Sequence, residues 1–272
     1  MPTLYLVGTP IGNLEDITLR AVRVLKEVGL VAAEDTRRAR VLFSRHSIAT
    51  PLTSYHEQGS RSRTPSLLRA LAEKDVALIT EAGMPTISDP GFSLVRAAIE
   101  QGVPVEVVPG PSAVTSALAL SGLPPDQFVF LGFLPRRAPD RRRLLESVVT
   151  EPRTLVAFEA PHRLIASLRD IESTLGDRPM AVCRELTKLH EEVFRGTVSE
   201  AREYFAQPRG EFTLVIGGGQ AASRPPDPRE VKERLSALRR EGFKGREATS
   251  RVSEEYGLPR REVYRLWLET KR

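Results

Sequence analysis

One cysteine, Cys183, stands among 272 residues, so no internal disulfide is available and the fold has to be held by burial alone. That lone thiol and four scattered histidines (His46, His56, His162 and His190) offer no spacing for a structural zinc, and no metal site is expected. Aromatic residues make up only 6% of the chain while hydrophobic residues reach 40%, which points to aliphatic cores and excludes a disordered composition. No stretch approaches the roughly 20 consecutive apolar residues of a membrane span. The first residues run straight into an apolar strand, with no basic segment or cleavage site ahead of them. These absences together predict a soluble cytoplasmic protein without a membrane partner.

Three catalytic or nucleotide signatures are missing as well. The G-x-G-x-x-G spacing of dinucleotide folds does not occur, nor does G-x-x-x-x-G-K-[ST], which argues against a nucleoside triphosphatase. Without G-x-S-x-G the simplest serine hydrolase is excluded.

The charge that is present is unevenly placed. Residues 1–219 hold 26 basic and 26 acidic side chains, whereas residues 220–272 hold 14 and 9, which accounts for the whole net charge of +5. A basic tail on a neutral body reads either as a module that meets a polyanion or as a solvated helical surface. Arginine outnumbers lysine and there are 21 prolines, a pattern of GC-rich or heat-adapted sources that carries no mechanism.

Through residue 219, short β-like runs alternate with amphipathic helical stretches, which predicts an α/β layer fold with a largely parallel sheet. Strands are expected at 4–8, 30–33, 75–80 and 103–108. A helix is expected at 17–28, with Leu19, Val22, Leu25 and Val28 on its apolar face. From about Ser112 the rhythm changes to a small-residue helix at 112–121 and strands at 128–133, 154–158, 180–186 and 211–216. A further helix is expected at 163–175. We therefore expect two α/β domains, 1–111 and 112–219, divided near Pro109-Gly110-Pro111. Gly217-Gly218-Gly219 and Arg224-Pro225-Pro226-Asp227-Pro228 read as a linker. Beyond it, 228–272 shows three apolar stripes: Val231, Leu235 and Leu238; Ala248, Val252 and Tyr256; Val263, Leu266 and Trp267. With the corner Gly257-Leu258-Pro259, the last two have the spacing of a helix-turn-helix.

Three Pro/Gly loops follow strands: Gly8-Thr9-Pro10-Ile11-Gly12-Asn13, residues 81–91, and Pro109-Gly110-Pro111-Ser112-Ala113. Ligands of open α/β sheets bind at the carboxyl ends of strands, so the three loops can line one cleft; each alone is also an ordinary βα turn. Acid/base candidates sit just past apolar strands in Glu34-Asp35-Thr36-Arg37, Glu159-Ala160-Pro161-His162-Arg163 and Arg184-Glu185-Leu186-Thr187-Lys188. A carboxylate beside an arginine is either a positioned base or a structural ion pair. Arg136, Arg137, Arg141, Arg142 and Arg143 place five arginines in eight residues, either as a solvated loop or as a phosphate contact.

Taken in order, TPIGNLEDIT (9–18), AAEDTR (32–37), AGMPTISDPG (82–91), VVPGPSA (107–113), GFLPRR (132–137), FEAPHRL (158–164), RELTK (184–188) and GEFTLVI (210–216) resemble the rRNA ribose methyltransferases of the tetrapyrrole-methylase superfamily. The resemblance spans essentially the whole chain, and eight motifs in register make it specific. It implies a two-domain tetrapyrrole-methylase-like fold with a C-terminal helix-turn-helix-like appendage, holding S-adenosylmethionine in the cleft between the domains. The implied reaction is 2′-O-methylation of a decoding-centre cytidine of 16S rRNA in the 30S subunit, carried out by a homodimer. Carried over by motif, cofactor contacts fall on Pro10, Gly83, Ile87, Thr115, Ser116, Phe158, Leu186, Phe212 and Thr213. Glu81 stands where the family more often has aspartate, and Ala160 where it more often has serine, so no hydroxyl at 160 is essential here.

A ribose hydroxyl is a weak nucleophile and gains from a general base. The candidates are Glu159 and Glu185, with Glu34-Asp35 as a further acidic pair and Arg163, Arg184 or Lys188 placing a phosphate. RNA contacts are expected from the 136–143 arginines and the basic tail. Two other readings remain: a methylase of a small substrate such as a tetrapyrrole, and a DNA-binding regulator that uses the tail.

Overall fold

The computed structural model describes residues 1–56, 60–219, 228–256 and 258–270. These fall into two compact units, one of residues 1–149 and 153–218, the other of 150–152 and 219–272.

Within the first unit, Leu4–Val7 (β1), Leu30–Ala33 (β2), Leu52–Ser54 (β3), Val76–Ile79 (β4) and Val105–Val108 (β5) form a wholly parallel sheet ordered β3-β2-β4-β1-β5. Leu19–Glu27 (α1) and Thr36–Arg45 (α2) cover one face, while Ser60–Leu71 (α3) and Phe92–Glu100 (α4) cover the other. Burial on both faces is why β4 reads as an unbroken apolar run, each of its residues being buried. The Thr18 hydroxyl caps α1 by accepting the Ala21 N–H at 3.0 Å, so the helix starts two residues later than the expected residue 17. Its buried stripe is Ala21, Val24 and Leu25, continued by Val28, whereas Leu19 is 92% exposed in the first turn. The expectation for Leu19 is corrected by that shift of the stripe.

Phe128–Phe133 (β6), Thr154–Glu159 (β7), Pro179–Arg184 (β8), Glu192–Thr197 (β9) and Phe212–Ile216 (β10) form a second sheet ordered β6-β7-β10-β8-β9. Only β6 and β7 run parallel; the other pairings are antiparallel, against the expectation of a largely parallel arrangement. Residues 185–191 joining β8 to β9 are too few for a helical crossover, so β9 must return antiparallel. Ala113–Ser121 (α5) packs on the inner face of this sheet, with Ile11 of the first loop beside it. Ala138–Glu146 (α6), Leu164–Leu175 (α7) and Val198–Tyr204 (α8) cover the outer face.

The second unit contains Pro228–Arg240 (α9), Gly245–Tyr256 (α10) and Arg260–Glu269 (α11). The three apolar stripes of the tail meet in a core of their own, with Tyr256 partly buried at its edge. Residues 224–227 of the expected linker and Gly257 of the expected corner lie outside the described residues. Among the described residues, no helix is long and apolar enough to cross a membrane.

A buried ion pair joins α6 to α7. Arg141, 4% exposed, donates Nε to Asp170 at 2.8 Å and Nη1 to the Pro135 carbonyl at 3.1 Å, and Arg142 Nε reaches the other Asp170 oxygen at 2.8 Å. Burial raises the Asp170 carboxyl, but the Arg142 and Arg141 hydrogen bonds outweigh it and hold the group below its ordinary 3.8. A depressed carboxylate contributes stability above its unfolded pKa and loses it as pH falls through the folded one. Arg141→Ala strands that charge and should cost about 3–5 kcal/mol in urea unfolding at pH 7. The gap to wild type should narrow below about pH 4.

Candidate active site

The strand order makes a crevice at one edge of the first sheet. The connection leaving β1 runs toward β2, while the one leaving β4 runs the other way, past β1 to β5. Adjacent strands with diverging connections open a crevice at their carboxyl ends. The first two Pro/Gly loops lie there, joined by paired backbone hydrogen bonds in which Thr9 and Gly83 each donate to the other's carbonyl, at 2.9 and 3.0 Å. The third loop presses still closer, since a Cβ on Gly8 would stand 2.8 Å from the Gly110 backbone. Gly83, at φ +80°, takes a conformation that glycine adopts without strain.

Facing these loops, the inner side of the second sheet closes a cavity of about 450 Å³, a size typical of small-molecule sites. Gly83, Ile87, Phe158, Leu186, Phe212 and Thr213 of the expected cofactor contacts line it together. Pro10 lines an adjoining cavity of about 280 Å³ instead. Thr115 and Ser116 line neither; the start of α5 presents Ser112, Ala113 and Val114.

The candidate bases are placed very differently from one another. Glu159, with its side chain fully buried, accepts the Ala160 N–H at 2.7 Å and the Ser167 hydroxyl, and pairs with Arg163 at 2.6 Å. Arg163 also donates to the Leu134 carbonyl at 3.0 Å, so the pair pins the turn after β7. Glu185 accepts Lys188 Nζ at 2.9 Å and the Glu211 N–H at 2.8 Å, and it does not line the main cavity. Burial raises its carboxyl, but Lys188 and the Glu211 amide pull it below the usual range. Burial lowers the Lys188 ammonium, but hydrogen bonds to Glu185 and Glu211 outweigh it and hold the group above its ordinary value; Lys188 lines the second cavity. Asp35 caps α2 through the Arg37 N–H at 2.7 Å and pairs with the Arg37 side chain, which lowers its carboxyl. For Glu159 and Asp35, the structural ion pair is the alternative that the geometry supplies.

One carboxylate of the cleft escaped the sequence reading. Asp89, in the second loop, lines the cavity beside Glu34 and Glu81. Burial, then the Glu34 charge, raise its carboxyl to about 7; a Thr80 hydroxyl opposes this and Glu81 adds to it. Its signal was an acid inside a Gly/Pro loop after a fully buried strand. The motif AGMPTISDPG contained it, but no arginine stood beside it to draw attention.

Of the arginine cluster, Arg137, Arg142 and Arg143 keep side chains 84%, 59% and 80% exposed, and Arg136 is exposed too. Arg141 is the correction: buried against Asp170, it is not available to a nucleic acid.

A sheet pair of this topology enclosing an acid-walled cleft defines a class, and sequence comparison agrees with it. The chain belongs to the tetrapyrrole (corrin/porphyrin) methylase family, whose profile matches residues 3–202, and it is a methyltransferase. Within that family it is similar over most of its length to proteins named ribosomal RNA small subunit methyltransferase I. The one from Thermotoga maritima is 52% identical, covering 80% of this chain and 99% of its own. The one from Synechocystis sp. is 46% identical, covering 99% of this chain and 98% of its own. Among solved structures, uroporphyrin-III C-methyltransferase from Thermus thermophilus, complexed with S-adenyl homocysteine, superposes with TM-score 0.57 at 24% identity over 80% of this chain and 97% of that one, which shows the shared fold.

Cys183, 1% exposed at the cavity wall, has its thiol pushed up to about 11 by burial, chiefly. The thiolate is the reactive form. Iodoacetamide at pH 8 should therefore leave native protein unlabelled by mass spectrometry and label it fully in urea.

Proposed function

We propose that this chain transfers the methyl group of S-adenosylmethionine to the ribose 2′-hydroxyl of a decoding-centre cytidine in 16S rRNA. In this reading it works in the cytoplasm on the 30S subunit as a homodimer, with residues 1–111 and 112–219 as the two walls of the cleft.

The observation that carries the donor is the sign of the cavity. Glu34, Glu81, Asp89, Glu159 and Glu211 line it, and among the described residues no lysine or arginine does. Such a wall suits a cationic sulfonium and repels a polyphosphate. Apolar surface from Ile11, Phe158 and Leu186 offers a flat ring somewhere to pack, and the buried Thr213 adds a polar group. The residues therefore fit S-adenosylmethionine. When bound, it supplies a methyl group on a positively charged sulfur, open to in-line displacement.

The chain's own part is positioning, exclusion of water and proton handling. Holding donor and acceptor in line converts an encounter into an intramolecular step. Arg136, Arg137, Arg142 and Arg143 supply exposed forks suited to phosphate oxygens. The names of the curated relatives support the rRNA substrate, and a ribose 2′-hydroxyl is what distinguishes RNA from DNA.

Tritiated S-adenosylmethionine, offered with 30S subunits, free 16S rRNA, DNA or uroporphyrinogen, should place label on the particle alone. Label on uroporphyrinogen would overturn the reading in favour of a small-substrate methylase. Removing residues 224–272 should weaken particle binding far more than cofactor binding in filter and calorimetric assays. Equal loss of both would make the basic tail a structural prop.

A further inference from the structure

We propose that Asp89 is the proton acceptor of the cleft, taking the proton from the ribose hydroxyl as its oxygen attacks the methyl carbon. The inference rests on the reading under Proposed function.

The five cavity carboxylates differ in how far they are already committed. Glu159 is bound by Arg163, Ala160 and Ser167. Glu81 is paired with Arg38 at 3.1 Å and Glu211 with Lys188 at 3.0 Å. Glu34 accepts the Glu81 N–H at 3.3 Å. Among the described residues Asp89 has no ion pair, and the Thr80 hydroxyl lies near enough to oppose the rise but makes no hydrogen bond.

The loop that carries Asp89 is built to hold it. Thr86 and Ser88 sit at φ 76° and 63°, and Gly91 at φ 140°, so three residues around Asp89 have a positive φ. Non-glycine residues there cost about 1–3 kcal/mol each and persist only where the surroundings over-determine them. Here a Cβ on Gly91 would meet Leu78 of β4 at 2.7 Å and Thr86 at 3.0 Å, so the loop is folded tightly against the buried strand. α4 starts at once after Gly91, which anchors the far end. Tight packing of this kind gives a reacting carboxylate a fixed direction.

Electrostatics then suit the role. The charged or titratable groups sharing the cavity with Asp89 are Glu34, Glu81, Glu159, Glu211 and Cys183, with Arg38 and Lys188 held against Glu81 and Glu211. Desolvation and the Glu34 charge leave Asp89 titrating near 7, where a base is both basic enough to accept a proton and still ionised in good part. In the transfer, the hydroxyl oxygen bonds to the methyl carbon as the carbon–sulfur bond breaks. That bond's electron pair stays on sulfur, giving the neutral thioether, and the hydroxyl proton passes to the Asp89 carboxylate and then to water.

Two measurements test this. The first needs no turnover. A cationic donor entering the cavity should favour ionised Asp89, so calorimetry at pH 7 in buffers of different ionisation enthalpy should show proton release on binding S-adenosylmethionine. The neutral product S-adenosylhomocysteine should release far less, and Asp89→Asn should abolish the difference. The second is single-turnover methylation of 30S subunits across pH 5.5–9. The wild-type rate should rise with pH to a plateau, with a midpoint below about 7 because the bound sulfonium favours the ionised carboxylate, and Glu34→Gln should move that rise lower still. Asp89→Asn should lose about 10²–10⁴-fold in rate with a flat profile, cofactor affinity within a few-fold and an unchanged melting temperature. Asp89→Glu should restore part of the rate. Wild-type turnover in Asp89→Asn, a pH rise that survives it, or a loss confined to cofactor affinity would overturn the role. Wild-type enzyme that labels no particle would overturn the substrate reading itself.

Discussion

The close approach of Gly8 and Gly110 is the constraint on which the cleft depends. Two backbones meet where no side chain fits, and a hydrogen-bonded bridge from Thr9 to Gly83 brings in the second loop. A methyl group at either glycine would push the loops apart and misaim the first turn of α5. The same first loop is gripped from the other side. A Cβ on Gly12 would lie 2.6 Å from the Leu186 carbonyl, so the loop also seats the turn that follows β8. One short segment thus registers both sheets of the first unit, and the cavity is what remains between its contacts.

Charge is sorted around that geometry. The main cavity is walled by carboxylates, whereas Arg38 and Lys188 pair with Glu81 and Glu211 and line the adjoining cavity instead. The main cavity suits a cation, while in the adjoining one Arg38 and Lys188 are balanced by Glu81 and Glu211. The Arg141–Asp170 pair follows a different logic. It is buried and hydrogen-bonded, and it ties α6 to α7, although in sequence Arg141 belongs to the most conspicuous basic cluster.

Much of the architecture was legible because apolar periodicity and Pro/Gly punctuation report local structure directly. β1, β2, β4 and β5, the small-residue helix α5 and the three stripes of the tail all appear close to their expected bounds. What escaped were features set by tertiary contact. Leu52–Ser54 is too short and too polar to announce a strand; it exists by pairing with β2. The antiparallel return of β9 depends on a connection length rather than on a pattern. In the site, six of nine expected cofactor contacts share one cavity, because motif loops after strands had to converge. The expected bases were chosen by proximity to arginine, and that same proximity made Glu159 and Asp35 structural. Asp89 was passed over because no arginine stands beside it, and the burial and the Glu34 charge that raise its pKa leave no mark in sequence.

The tail carries one more consequence. Trp267 is the chain's single tryptophan, it lies in the second unit, and it is 7% exposed there beneath the Arg239 guanidinium at 3.8 Å. Its Nε1 faces Gly245, where a Cβ would approach to 2.6 Å, so any displacement of α10 changes the indole's surroundings. Intrinsic fluorescence excited at the indole therefore follows this unit alone, with no contribution from the methylase cleft. The protein carries its own optical label on the basic module, which allows that module's encounters to be timed separately from events at the cleft.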